Sequence, residues 1–238
     1  MKISVSGTYS SGKTSTVLAL SYYTGIPRTL AKTIREIMPE AVPGKRLSEV
    51  TPAEYLQLAM RRHTGRAVAE AVLGDTFLSD GSSLQEWIYG AARVRYGMNP
   101  SATAQMLDEI DPADLTDEMR FFDQVISQYG HAFRQHVRST FDAVVHLENE
   151  HAMTDDGHRP MNEKFREYCD QMLAQTIDDL KIPLWTIRGT MEERLEEIVS
   201  TFAFPVVMPM DEALARMRAD YAAIDLRLEH DRAGVAVP

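Results

Sequence analysis

Eight residues near the amino terminus, Gly7-Thr8-Tyr9-Ser10-Ser11-Gly12-Lys13-Thr14, satisfy the pattern G-x-x-x-x-G-K-[ST] at every fixed position. Each fixed residue type has a chemical task. Gly7 and Gly12 permit backbone angles that other residues resist, so the N–H groups from Ser10 to Thr14 can converge on a phosphate, and the following helix adds its positive end. Ser15 continues the same turn and belongs to the phosphate-binding set with Gly7, Ser10, Ser11, Gly12, Lys13 and Thr14. Lys13 is expected to reach the β- and γ-phosphates, and the Thr14 hydroxyl to ligate Mg²⁺. The chemistry is that of a bound nucleoside triphosphate.

Such a site can hydrolyse the nucleotide or transfer its phosphoryl group, and other residues discriminate. A guanine-specific N-K-x-D and an L-S-G-G-Q signature are both absent, and no apolar strand ends in the Asp-Glu pair common in motor ATPases. Instead the run "TFLSDGS" ends in a single carboxylate, Asp80, which can accept a proton from an acceptor hydroxyl or hold Mg²⁺ through water. Asp-Gly is also ordinary turn chemistry. Transfer further needs cations and exclusion of water. The polar segment "TDDGHRPMN" carries Arg159, whose forked guanidinium suits a lid over the triphosphate, or else pairs with Asp155 or Asp156 on a solvated loop. His146, His151 and His158 lack tight ligand spacing, so no metal cluster is expected of them.

These residues need a scaffold, and the chain supplies one. "KISVSG" has the composition of a buried parallel strand, and "KTSTVLALSYYTG" carries helical spacing through Val17, Leu20 and Tyr23. Thr51 and Pro52 can open a helix that ends at Gly74. "TFLSDGS", "DAVVHLE" and "PLWTIRG" are three further strands. Between Asp80 and Val144 the sequence is helical, with Phe122, Val125, Ile126, Tyr129, Phe133 and Val137 on one face. Helical spacing also runs through Phe165, Cys169, Met172, Leu173, Thr176 and Leu180, and "TMEERLEEIVSTF" is another helix. Strands alternating with helices predict an α/β fold, a parallel sheet with helices on both faces and the site at the carboxyl ends of its strands.

Composition narrows the partners. The chain has 238 residues, 44% of them hydrophobic, enough to bury a full core. Its formal charge of -10 argues against nucleic acid as a general partner. Cys169 is the single cysteine, which excludes an intrachain disulfide and fits a reducing cytoplasm. The amino terminus lacks the pattern of a targeting segment, and no apolar run approaches the ~20 residues of a membrane helix, so no membrane partner is expected.

The ordered set "GTYSSGKTS", "GIPRTLAKTIREI", "FLSDGS", "DDGHR" and "TIRGTMEERLEEI" resembles the NadR-like, ribosylnicotinamide-kinase-like family of P-loop ATPases from Met1 to about Phe202, with the segment from Asp80 to Asp142 poorly matched. The resemblance implies a P-loop NTPase fold with about five parallel strands, ATP with Mg²⁺ as donor, and Asp80 as the catalytic carboxylate. It also implies Arg159 as lid arginine, Arg35 facing the acceptor and Arg194 near the adenine. Family members often carry a glutamate three residues before Arg35, where this chain has Lys32. Ribosylnicotinamide is therefore not carried over as acceptor, and a nucleoside-like or specialised metabolite takes its place.

The expected organisation is a kinase-like domain over residues 1–205, with a helical insertion at about 82–140, and a helical extension over 206–238. The insertion offers Trp87 and Tyr89 as flat surfaces and Arg93 and Arg95 as cationic forks for a small-molecule acceptor, or else a core tryptophan and solvated arginines. In the extension, Met210, Leu214, Met217, Tyr221, Ile224 and Leu228 form a narrow apolar seam that docks on the protein itself or joins two copies, leaving monomer and homodimer open. Three functions fit: a small-molecule kinase with Lys13, Asp80 and Arg159 as catalytic residues, a regulatory ATPase or nucleotide-gated interaction protein, and a nucleoside monophosphate kinase using Arg35, Arg93 and Arg95.

Overall fold

The short β-branched runs bounded by glycine and polar turns become the sheet. The structure, a computed structural model, describes residues 1–106, 109–150 and 160–224. Strands β1 (Lys2–Ser6), β2 (Phe77–Asp80), β3 (Ala143–Leu147) and β4 (Leu184–Ile187) lie in the order β2-β1-β3-β4, and every pairing is parallel. The central strands β1 and β3 are almost wholly buried, as a sheet covered on both faces requires. At the β4 edge, Trp185 and Thr186 are exposed.

The expectation of about five strands is corrected to four among the described residues. At the free edge of β2 the chain after the first helix makes one parallel bridge, Arg28 to Leu78, with Leu78 N donating to Pro27 O and Thr29 N to Leu78 O, both at 2.9 Å. Pro27 has no N–H to extend the ladder, so a fifth strand does not grow there.

Helices cover both faces. On one lie α1 (Lys13–Thr24), α8 (Met191–Phe202) and α9 (Met210–Ala222), which bury Val17, Leu20, Leu195, Ile198, Leu214 and Met217 against Ile3, Val5 and Val145. On the other lie α2 (Ile34–Ala41), α3 (Pro52–Val72), α4 (Ser83–Tyr96), α6 (Asp117–Thr140) and α7 (Glu163–Asp179), with the short α5 (Pro100–Met106) beside α4. The segment 82–140 is helical and feeds Leu84, Trp87, Ile88, Phe122 and Ile126 directly into this second core.

Local signals act as their chemistry dictates. Thr51 accepts from Glu54 N and Glu54 reaches back to Thr51 N, a reciprocal cap, and Pro52 opens α3 where no N–H is needed. Gly130 on α6 lets α4 approach: a Cβ there would lie 2.5 Å from the Trp87 ring. Of the carboxyl-terminal seam, Leu214 and Met217 are buried within the chain while Tyr221 is 46% exposed, and the segment is tied down where Val207 N donates to Tyr23 O and Tyr22 donates to Asp220 Oδ2 at 2.7 Å. Leu228 lies outside the described residues.

Candidate functional site

β1 delivers the chain into the glycine loop. Gly7 and Gly12 take φ values of 140° and 89°, conformations that glycine makes inexpensive, and Ser10 between them is held in the left-handed region at 65°. A side chain at Gly7 is blocked as well, because its Cβ would stand 2.6 Å from Ser11 Oγ. α3, α4, α6, α7 and α8 each have a side-chain cap, supplied by Thr51, Ser82, Thr116, Asn162 and Thr190. α1 has none: Gly12 precedes it, leaving its first N–H groups to face the loop, as an anion-binding terminus needs.

The rear of the loop is braced by buried arginines. Arg194 donates to Ser11 O, Gly189 O and Glu150 Oε2, each at 2.8 Å. Arg166 donates to Asn149 Oδ1 at 2.8 Å, and Thr8 Oγ1 donates to the same oxygen at 2.7 Å. Inside the loop, Lys13 Nζ lies 2.7 Å from Thr8 O.

Parallel pairing sets the partner across the sheet. Val5 stands opposite Asp80 on β2, and Gly81 N donates to Val5 O. The Asp80 carboxylate thus meets the start of α1, where the Thr14 hydroxyl donates to Asp80 Oδ2 at 2.6 Å. Arg66 holds the Asp80 backbone carbonyl at 2.6 Å and shares Glu86 Oε1 with Arg62, each at 3.2 Å.

Lys13, Thr14 and Asp80 open onto a cavity of about 290 Å³ walled by Tyr9, Tyr55, Tyr89 and Phe165. Burial pushes the Tyr55 and Tyr89 phenols well above the usual tyrosine range, so both stay neutral donors. Tyr55 donates to Glu86 O at 3.1 Å, and Tyr9 of the glycine loop donates to Pro160 O at 2.9 Å with its ring 6.2 Å from Tyr89. The Arg93 guanidinium lies over the Tyr55 ring at 4.7 Å and the Phe165 ring at 5.5 Å, and donates to Tyr89 O at 2.8 Å. Burial lowers the Arg62 pKa, and Glu86 opposes that shift. The arrangement places a phosphate cradle, a hydroxyl-carboxylate pair and a flat-walled cavity side by side.

A sequence profile of the AAA_28 family, described as an AAA domain, matches residues 2–194. The chain belongs to this P-loop NTPase family. No curated protein matches the sequence. Among solved structures, the deoxyadenosine kinase from M. mycoides with bound dCTP superposes with a TM-score of 0.56 at 14% identity, covering 85% of this chain and 99% of that one. The same kinase with dCMP and a flexible dCDP gives 0.55 at 15% identity, covering 85% and 98%. The AAA_28 domain therefore has the fold of a P-loop kinase, with helices on both faces of a parallel sheet.

Within this AAA_28 domain, Arg35, Tyr89 and Arg93 line the cavity beside Lys13, Thr14 and Asp80. Ser10, Ser11, Gly12 and Ser15 lie in the loop and the opening turn of α1. Two acceptor expectations are corrected. Trp87 is a core residue, packed on Gly130 with the Arg134 guanidinium 5.1 Å from its ring, because its face of α4 turns to α6. Arg95 projects elsewhere and pairs with Glu109 at 2.7 Å, since it stands two residues from Arg93 and so on another side of the helix. The resemblance sets Arg194 near the adenine, whereas its guanidinium bonds go to Ser11, Gly189 and Glu150. Arg159 lies outside the described residues, as do His151 and His158.

Sequence reasoning missed Tyr9, Arg62, Arg66, Glu86 and Arg166. A signal existed for one pair: Arg62 and Arg66 are four residues apart, hence on one face of α3, and a buried pair of cations demands an anion. Tyr9 occupies a variable position of its motif, which carries no signal at all.

Proposed function

We propose that this protein is an ATP-dependent kinase transferring the γ-phosphoryl group to a hydroxyl of a neutral, nucleoside-like small molecule or a specialised metabolite of similar shape. The observation that carries this reading is the shared wall: Lys13, Thr14 and Asp80 border the same aromatic cavity of about 290 Å³. That volume is of the order of clefts that take small-molecule ligands. The NadR-like motif order and the kinase fold support the same reading.

In the proposed reaction the acceptor oxygen bonds to the γ-phosphorus, the bond from that phosphorus to the β–γ bridging oxygen breaks, and ADP leaves with the electron pair. The hydroxyl proton passes to the Asp80 carboxylate and then to solvent. Lys13 and the N–H groups of the loop stabilise charge on the phosphate oxygens. The Thr14 hydroxyl and the Asp80 carboxylate are hard oxygen donors 2.6 Å apart, a set that fits Mg²⁺, which takes few protein oxygens. Held by these two oxygens, Mg²⁺ would neutralise part of the phosphate charge.

The charge pattern favours a neutral acceptor over a nucleoside monophosphate. Glu86 engages both Arg62 and Arg66, so a phosphate there competes with a carboxylate, whereas Arg93 gives one N–H to Tyr89 O and keeps its Nε–H unpaired among the described residues, a donor that a neutral hydroxyl or carbonyl can use without breaking the Glu86 cluster. The test is a panel of nucleosides, nucleoside monophosphates and hydroxylated metabolites with MgATP, scored by phosphorylated product and by free phosphate. Product from neutral acceptors supports the reading. Free phosphate alone would make the protein an ATPase, and product from monophosphates alone would reverse the acceptor assignment.

A further inference from the structure

α9 begins where α1 ends, with Val207 N bonded to Tyr23 O, and runs back along α1 towards the phosphate loop. Leu214 and Met217 bury one face of it, and Asp220 fixes its last turn by accepting from Tyr22 at 2.7 Å and facing Arg28 at 3.5 Å. The next turn therefore reaches the reacting centre. Tyr221 and Ile224 both line the aromatic cavity, and Ile224 also lines a second cavity of about 260 Å³ that Thr14 and Asp80 border as well. Thr14, Thr33, Asp80 and Ile224 are shared by the two walls.

The family profile ends at residue 194, so this wall is supplied by chain beyond the matched region. Its chemistry is specific. Tyr221 is 46% exposed and offers a ring and a phenolic hydroxyl on the open side of a cavity whose other aromatic walls are Tyr9, Tyr55, Tyr89 and Phe165. Ile224 puts a branched apolar side chain beside the Thr14–Asp80 pair, where exclusion of water matters to transfer. From these positions we infer that Tyr221 and Ile224 are specificity-determining residues of the acceptor site, completing it for a flat ring that is held between tyrosines and closed off at Ile224. The inference rests on the kinase reading above.

The experiment uses full-length protein, MgATP and the common ribo- and deoxyribonucleosides as probes, followed by steady-state kinetics on the best acceptor. Tyr221→Ala and Ile224→Ala are expected to raise the acceptor KM about tenfold or more, with the KM for ATP within about twofold. Tyr221→Phe should recover the wild-type KM if the ring carries the contact. Ile224→Ala should also raise the ratio of free phosphate to phosphorylated product. Thermal unfolding of each variant within a few degrees of wild type, expected because Leu214, Met217 and Asp220 still anchor α9, separates an altered site from a loosened helix. An unchanged acceptor KM in both alanine variants, or an equal rise in both substrates' KM values, overturns the inference and leaves the kinase reading standing. Wild-type protein that phosphorylates neither these nucleosides nor any hydroxylated metabolite of the wider panel overturns both.

Discussion

The Thr14 hydroxyl donates to Asp80 Oδ2 at 2.6 Å, joining the end of the phosphate loop to the end of the neighbouring strand. That bond exists because β1 and β2 are parallel and in register, Val5 opposite Asp80, so both strands terminate at one edge. Asp80→Asn keeps the shape and removes the charge. Transfer is expected to fall about a hundredfold or more, with ATP affinity changed only a few-fold. Single-turnover assays alongside nucleotide titration check this, and transfer within a few-fold of wild type would reduce Asp80 to a turn residue.

Lys13→Ala is expected to abolish MgATP turnover while the unfolding temperature holds, because Lys13 is partly exposed in the loop and contributes nothing to either core. Turnover at the wild-type rate by the purified variant would contradict the phosphate-binding assignment.

The Arg62–Glu86–Arg66 cluster is nearly enclosed, with side-chain exposures of 12%, 11% and 3%. Glu86→Gln leaves two buried cations facing a neutral amide. A loss of about 3 kcal/mol in urea unfolding is expected, as for a buried ion pair deprived of one partner. A loss below about 1 kcal/mol is the behaviour of exposed pairs and would mean that water reaches the cluster.

His63 stacks on Phe133 at 4.2 Å and lies 2.8 Å from Ser83 Oγ, with His136 at 5.1 Å and Arg66, Glu70 and Glu86 nearby. Burial, then the neighbouring His136, lowers its pKa below the ordinary histidine value, so the folded state binds this proton less readily than the unfolded chain. The group's contribution to stability is complete above about pH 6.5 and declines as the pH falls below that value. Urea midpoints measured across that range should slope less steeply in His63→Gln than in wild type. Equal slopes would assign the acid sensitivity to other groups.

Cys169 is buried at 1% exposure, and desolvation pushes its thiol well above the usual range. A thiol that cannot form its anion does not attack. Incubation of folded protein with a disulfide reagent should leave Cys169 unmodified, with full reaction only after denaturant is added. Rapid labelling under native conditions would show that α7 opens locally.

What the sequence alone determined is what neighbours in the chain determine. The phosphate loop is eight consecutive residues, so its glycines, Lys13 and Thr14 were legible together. The four strand runs declared themselves by composition, and Thr51 with Pro52 marked the start of α3, because caps and turns are short-range chemistry. The position of Asp80 beside the loop was legible because it ends a strand, and parallel strands present their ends to one edge. Helical periodicity marked the apolar face of α6, yet not which neighbour that face would meet. Trp87 therefore looked as available to an acceptor as Tyr89, until the gap at Gly130 drew its ring into the core. Arg93 and Arg95 stand two residues apart, about 200° round the helix, and end on different surfaces, one over Tyr55 and the other beside Glu109. Glu86 required α3 and α4 to pack before it could join Arg62 and Arg66, and Tyr221 and Ile224 required α9 to fold back along the full length of α1. Those contacts join residues far apart in the chain, and only the docking of whole helices decided them.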